Sequence, residues 1–125
     1  MAIQRFEEMK VWQDARVLTK NIYSLTKNKY FIKDFGLRDQ IQRATVSIMS
    51  NIAEGYERDN NKEFVKFLGY SKGSVGEVRS LLYVAFDQEY ISEIEFNNLK
   101  ESATNISTQI ANFMKYLRKR VSLSK

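Results

Sequence analysis

Apolar residues recur along this chain at helical spacing almost from end to end. Over residues 37–57, Ile41, Ala44, Thr45, Ile48, Met49 and Ile52 fall at i, i+3, i+4, i+7, i+8 and i+11, one face of an α-helix. A first helix over 5–27 carries Val11, Trp12, Ala15, Leu18, Ile22 and Leu25 on one side, and a loop over 28–36 follows it. Asn60 with Glu63, and Ser92 with Glu95, have the spacing of capping boxes, which opens a third helix over 60–87 and a fourth over 92–120. The fourth has the cleanest stripe: Phe96, Leu99, Ala103, Ile106, Ile110, Phe113, Leu117 and Val121. Four helices of similar length, joined by short connections and free of proline, predict an all-α, antiparallel up-down-up-down four-helix bundle, a single domain over 1–125.

Two faces are not accounted for by that core. On helix two, Arg43, Ser47, Asn51, Glu54 and Arg58 line up nearly opposite the apolar stripe, with charge at the ends and small polar groups between. Three readings stay open. The line is a hydrogen-bond network between helices or subunits, completed from helix three by Ser74 and Glu77; or a ligand surface with Arg43 and Arg58 on phosphate; or a solvated face. On helix three, Phe64, Phe67, Leu68, Ser71, Val75, Val78, Leu82 and Ala85 face the core, while Gly69, Gly73, Gly76 and Ser80 recur on the opposite side. Three glycines inside a helix cost ~2–3 kcal/mol relative to alanine. The close approach of another subunit's backbone would offset that cost; the alternative is a local break at Gly73–Ser74.

Charge sharpens the picture at one end only. Lys115, Arg118, Lys119, Arg120 and Lys125 lie in the last eleven residues with no acid among them, and they hold the whole net charge of +5. Such a cluster complements the dipole of a helix C-terminus and equally suits phosphate contact. The first residues mix both signs without an apolar core, unlike a secretory signal, and the longest apolar run, 81–86, is far short of a membrane span, so a cytoplasmic protein is expected.

Catalytic chemistry has little to work with. There is no histidine and no cysteine, which removes the commonest general base, thiolate metal sites and every Ser-His or Cys-His arrangement. Gly69, Gly73 and Gly76 do not make a P-loop, because no Lys-Ser/Thr follows and the segment lies within a helix. Glu54 and Glu77 are a conceivable carboxylate pair, but acids near Arg43, Arg58 and Arg79 are more simply ion-paired structure. No enzyme, metal or cofactor is expected. Aromatic residues fall on the stripes or at their margins; Tyr116, beside Lys115 and Arg118, is the one weakly suggestive of base stacking.

The run from Phe35 to Arg58 also carries a resemblance. Phe35, Gly36, Leu37, Gln40, Ile41, Arg43, Ala44, Ser47, Ile48, Asn51, Ile52, Ala53, Glu54 and Gly55 match the pattern of the small proteins encoded by intervening sequences of 23S ribosomal RNA genes. Trp12, Ala15, Gly73, Ser74, Glu77, Tyr90 and Ile91 extend the match over nearly the whole chain. Gln42 stands where a second Arg is common, and Met49 where many relatives have a kinking Pro. The resemblance implies a four-helix bundle and a homo-oligomer, with a pentamer the favoured ring, and a similarity to basic accessory proteins of diversity-generating retroelements. The expectation is a non-enzymatic homo-oligomeric accessory protein that binds RNA or DNA through phosphate contacts from Lys115, Arg118, Lys119, Arg120 and Lys125. The interface or polar network would use Arg43, Ser47, Asn51, Glu54, Arg58, Gly69, Gly73, Ser74, Gly76 and Glu77. The rival is a protein–protein scaffold whose basic end only caps helix four.

Overall fold

A computed structural model describes residues 2–123. Four helices, α1 (Lys10–Leu25), α2 (Phe35–Glu57), α3 (Asn61–Asp87) and α4 (Glu93–Leu123), make up the fold, with 3-10 turns at Phe6–Glu8 and Phe31–Lys33 and no strand among the described residues. Each helix packs on the next and α1 closes the ring against α4, so the architecture is a four-helix bundle. The four stripes meet in one core. Leu18, Ile22, Ile41, Ile48, Ile52, Leu68, Val75, Val78, Leu82, Ile106 and Ile110 are fully buried, each stabilising the fold by roughly 1.5–3 kcal/mol.

Helix boundaries differ from the periodicity in ways the side chains explain. The first helix begins at Lys10 rather than residue 5. Met9 is extended and buried, and the turn before it sets Phe6 edge-on against Trp12, with ring centroids 5.1 Å apart. It stops at Leu25 rather than residue 27, because Thr26 turns inward: its Oγ1 donates to the Tyr23 carbonyl and accepts from Gln42 Nε2. The second helix opens at Phe35, two residues early, since Asp34 Oδ1 accepts from the Leu37 N–H at 3.1 Å and caps it. The fourth runs on to Leu123, past residue 120.

Both anticipated capping boxes cap their helices, but only one of them is reciprocal. Ser92 and Glu95 make the reciprocal pair, Glu95 N–H to Ser92 Oγ at 3.1 Å and Ser92 N–H to Glu95 Oε1 at 2.8 Å. Asn60 Oδ1 accepts from the Glu63 N–H at 2.9 Å. α3 continues through Gly73–Ser74 without a break, and α2 passes Met49 as unbroken helix. α2 and α3 come close together at Gly55 on α2, where an added Cβ would lie 2.7 Å from Phe67 Cβ and 2.9 Å from Phe64 Cδ1 on α3. Hydrogen there lets the two helices meet just before their turn.

Candidate nucleic-acid interface and subunit face

The polar line of α2 divides along its length. Its middle is a seam with α3: Asn51 Nδ2 donates to both the carbonyl and the Oγ of Ser47, at 2.9 Å each, and Ser74 Oγ donates to Ser47 Oγ at 3.0 Å. These three side chains are half-buried. Higher up, Gln40 Nε2 donates to Glu77 Oε2 at 3.2 Å, and one layer deeper the buried Ser71 Oγ donates to the Ile48 carbonyl at 2.7 Å. The charged ends stand in solvent. Arg58 pairs with Glu54 at 3.2 Å and lies over the Phe67 ring at 4.9 Å, while Arg43 is exposed and in no ion pair among the described residues. Glu54 and Glu77 thus have separate partners.

The small-residue stripe of α3 also splits, and here the sequence reading needs correction. Gly69 does not face outward: a Cβ there would meet Met114 Cε of α4 at 3.7 Å, so Gly69 lies in the α3–α4 packing. Gly73 and Gly76 do face outward, with nothing within 4 Å of an added Cβ. Tyr70 and Val84 are exposed on the same helix, at 50% and 41%.

The basic cluster occupies the end of α4. Leu117 shares a shallow recess with Tyr56, Asp59, Asn60 and Phe64 at the α2–α3 turn. The helix continues beyond Leu117 over residues 118–123, roughly 9 Å at ~1.5 Å per residue. Lys115, Arg118, Lys119 and Arg120 are exposed, and none of them is in an ion pair among the described residues. The Arg120 guanidinium lies 5.6 Å from the centroid of the half-exposed Tyr116 ring. Lys125 lies outside the described residues.

The sequence profile described as 23S rRNA-intervening sequence protein matches residues 7–112. The chain belongs to this family. Among solved structures, this 23S rRNA-intervening sequence protein is similar to a protein of unknown function from the S23 ribosomal protein family of Bacteroides thetaiotaomicron. The two are 22% identical, the match covers 84% of this chain and 98% of that one, and the TM-score is 0.77. That likeness establishes the shared fold. A search of curated proteins returns no match. The matched span stops short of Lys115, so the basic end of α4 lies beyond what the family profile describes.

Within the family's pattern the structure separates two jobs. Ile41, Ala44, Ile48 and Ile52 are core, and Gly55 sets the α2–α3 contact. Gln40, Ser47 and Asn51 make the outer seam, while Phe35 and Arg43 stand free in solvent at the surface. Asp34 was not singled out by sequence reasoning, and Gly55 only as part of the family's pattern, without its packing role. Asp34 was legible as a Ser/Thr/Asp/Asn-type cap before an apolar run.

Proposed function

We propose that this 23S rRNA-intervening sequence protein is a cytoplasmic, non-enzymatic, homo-oligomeric accessory protein that binds RNA or DNA through phosphate contacts at the free end of α4. The observation that carries the reading is the end of α4, where Lys115, Arg118, Lys119 and Arg120 are exposed and unpaired by any carboxylate among the described residues. Unpaired, exposed cations are free to displace counterions from a phosphate backbone, a sequence-independent contact. The open face of α3 around Gly73 and Gly76, with the Ser47–Ser74 seam beside it, supports a subunit contact, since a second backbone can approach where no Cβ intervenes. A pentamer is the assembly the family resemblance favours. No helix of the described residues is long and apolar enough to cross a membrane.

Anisotropy titrations of labelled RNA and DNA at about 50 mM salt test the binding. The protein is expected to bind both, and the variant with Lys115, Arg118, Lys119 and Arg120 all changed to Gln is expected to lose most of that affinity while keeping its helical spectrum. Equal binding by the variant would sink the α4 contact. The same open α3 face also favours the second reading, a protein–protein scaffold. Failure of both nucleic acids to bind would leave that reading standing.

A further inference from the structure

At the opposite end of the bundle from the basic end of α4, the α1–α2 connection presents cations and large apolar side chains together. Lys27, Lys29 and Lys33 fall within seven residues that contain no acid. None of the three is in an ion pair among the described residues. Tyr30 is 59% exposed and Phe35 65%, while Phe31 between them is fully buried. Each exposed ring has a cation at its side: Lys29 Nζ lies 5.0 Å from the Tyr30 centroid and the Arg38 guanidinium 4.9 Å from that of Phe35.

This tip is built rather than slack. Asn28 Oδ1 accepts from the N–H groups of Tyr30 and Phe31 at 3.0 and 2.8 Å, and its Nδ2 donates to the Tyr90 carbonyl at 2.9 Å. Buried Phe31 packs on Tyr90 at 5.5 Å, and Arg38 Nη1 donates to the Ile32 carbonyl at 3.2 Å. Asp34, between the rings in sequence, is committed elsewhere: it caps α2 and accepts the Tyr90 hydroxyl at 3.0 Å. The rings are thus held in water by a fixed frame, with their neighbouring carboxylate already occupied. Both rings stay largely in water, Tyr30 beside the unpaired Lys29 and Phe35 beside Arg38, whose Nε is paired with Asp39 at 3.2 Å, and Lys27, Lys29 and Lys33 leave unpaired positive charge around them.

We propose that the α1–α2 tip is a stacking platform for single-stranded nucleic acid, with Tyr30 and Phe35 receiving unpaired bases and Lys29 and Lys33 contacting the phosphates between them. Every base has a π-face, so the contact needs no sequence preference, and paired bases in a duplex cannot reach it. The class of partner rests on the function proposed above, whereas the residues are separate from those of α4 and stand on the other side of the molecule.

Anisotropy with labelled oligothymidylate, oligouridylate and a DNA duplex, at about 50 mM salt, separates the two contacts. The variant carrying both Tyr30→Ala and Phe35→Ala is expected to bind the single strands at least about tenfold more weakly, with duplex binding within about twofold. Tyr30→Phe with Phe35→Tyr keeps the rings and is expected to bind like the parent. Lys29→Gln with Lys33→Gln should lower the single-strand salt slope by about 1.4. Unchanged strand binding by the double alanine variant overturns the platform, as does an equal loss for strand and duplex. If the alanine variant instead loses binding to anionic phospholipid vesicles, or changes mass in light scattering, the tip serves a membrane or a second copy and the proposal falls. A loss confined to the α4 glutamine variant refutes the tip alone, whereas binding by neither strand nor duplex refutes both contacts.

Discussion

A methyl group at Gly55 has no space, because the atom it would strike, Phe67 Cβ at 2.7 Å, is tied to the α3 backbone and cannot swing aside. Gly55→Ala gains up to about 1 kcal/mol of helix propensity but forces α2 and α3 apart, and overpacking of this kind costs ~1–3 kcal/mol. Net destabilisation in urea unfolding is therefore expected, and a stabilised variant would show that the helices separate freely. Glu89 presents the reverse case. It sits at φ 62° where α3 ends in a Schellman motif, with Tyr90 N–H on the Ala85 carbonyl and Glu89 N–H on that of Phe86, both at 2.9 Å. Left-handed backbone costs a side-chain-bearing residue roughly 1–2 kcal/mol, so Glu89→Gly should stabilise by about 0.5–1 kcal/mol, read as a higher thermal midpoint. Asp14 adds a pH dependence. Burial alone would raise its carboxyl, but hydrogen bonds from Lys10 and Gln109 and the Lys10 charge outweigh that and hold it below the ordinary carboxylate value. A depressed carboxyl contributes stability that is present above its unfolded pKa and lost as pH falls through the folded one. Asp14→Asn should therefore flatten the acid limb of the stability curve and leave its neutral region sloping as before.

At the scale of helices, α3 carries the test of assembly. Gly73 and Gly76 open to solvent in the single chain, so alanine at either should help α3 by up to about 1 kcal/mol if nothing covers them. If a second copy lies there, Gly73→Leu blocks its approach, and light scattering should show a smaller particle with the helical spectrum intact. An unchanged mass would place the subunit contact elsewhere. The starts of α3 and α4 were readable because Asn60 and Ser92 precede clean stripes with an acid three residues on. The start of α2 was obscured by Gly36, which reads as a breaker but simply occupies the open first turn behind the Asp34 cap. Periodicity also says nothing inside a connection, which is why buried Phe31 and the exposed rings beside it stayed hidden. Gly69, Gly73 and Gly76 lie within about 60° of one another on an ideal helix, too close for a wheel to tell the rim that meets Met114 from the open face. Of the candidate site, the seam of Ser47, Asn51 and Ser74 was one of three readings that the spacing left open, and its partners lie in the same chain. Any subunit that covered Gly73 would do so with another molecule's surface, and one chain's pattern carries no imprint of that.

For the molecule as a whole, charge is the property that links structure to the proposed role. The body of the chain is formally balanced, and the surplus falls in residues 115–125, with Lys115, Arg118, Lys119 and Arg120 exposed on the last turns of α4. Any ring of such subunits would gather several of these ends on one particle, so that modest contacts add up through simultaneous engagement. Phosphate binding of this kind has a signature that a protein–protein scaffold lacks: the logarithm of affinity falls linearly with the logarithm of salt, by about 0.9 for each duplex phosphate neutralised. The most direct measurement is this slope for a DNA duplex, taken from about 50 to 200 mM salt, for the parent protein and for the variant with Lys115, Arg118, Lys119 and Arg120 changed to Gln. A steep slope in the parent, made shallower by about 0.9 for every cation that had met a phosphate, with the particle mass unchanged, is the predicted result; identical slopes in the two proteins, or no binding at the lowest salt, would contradict it.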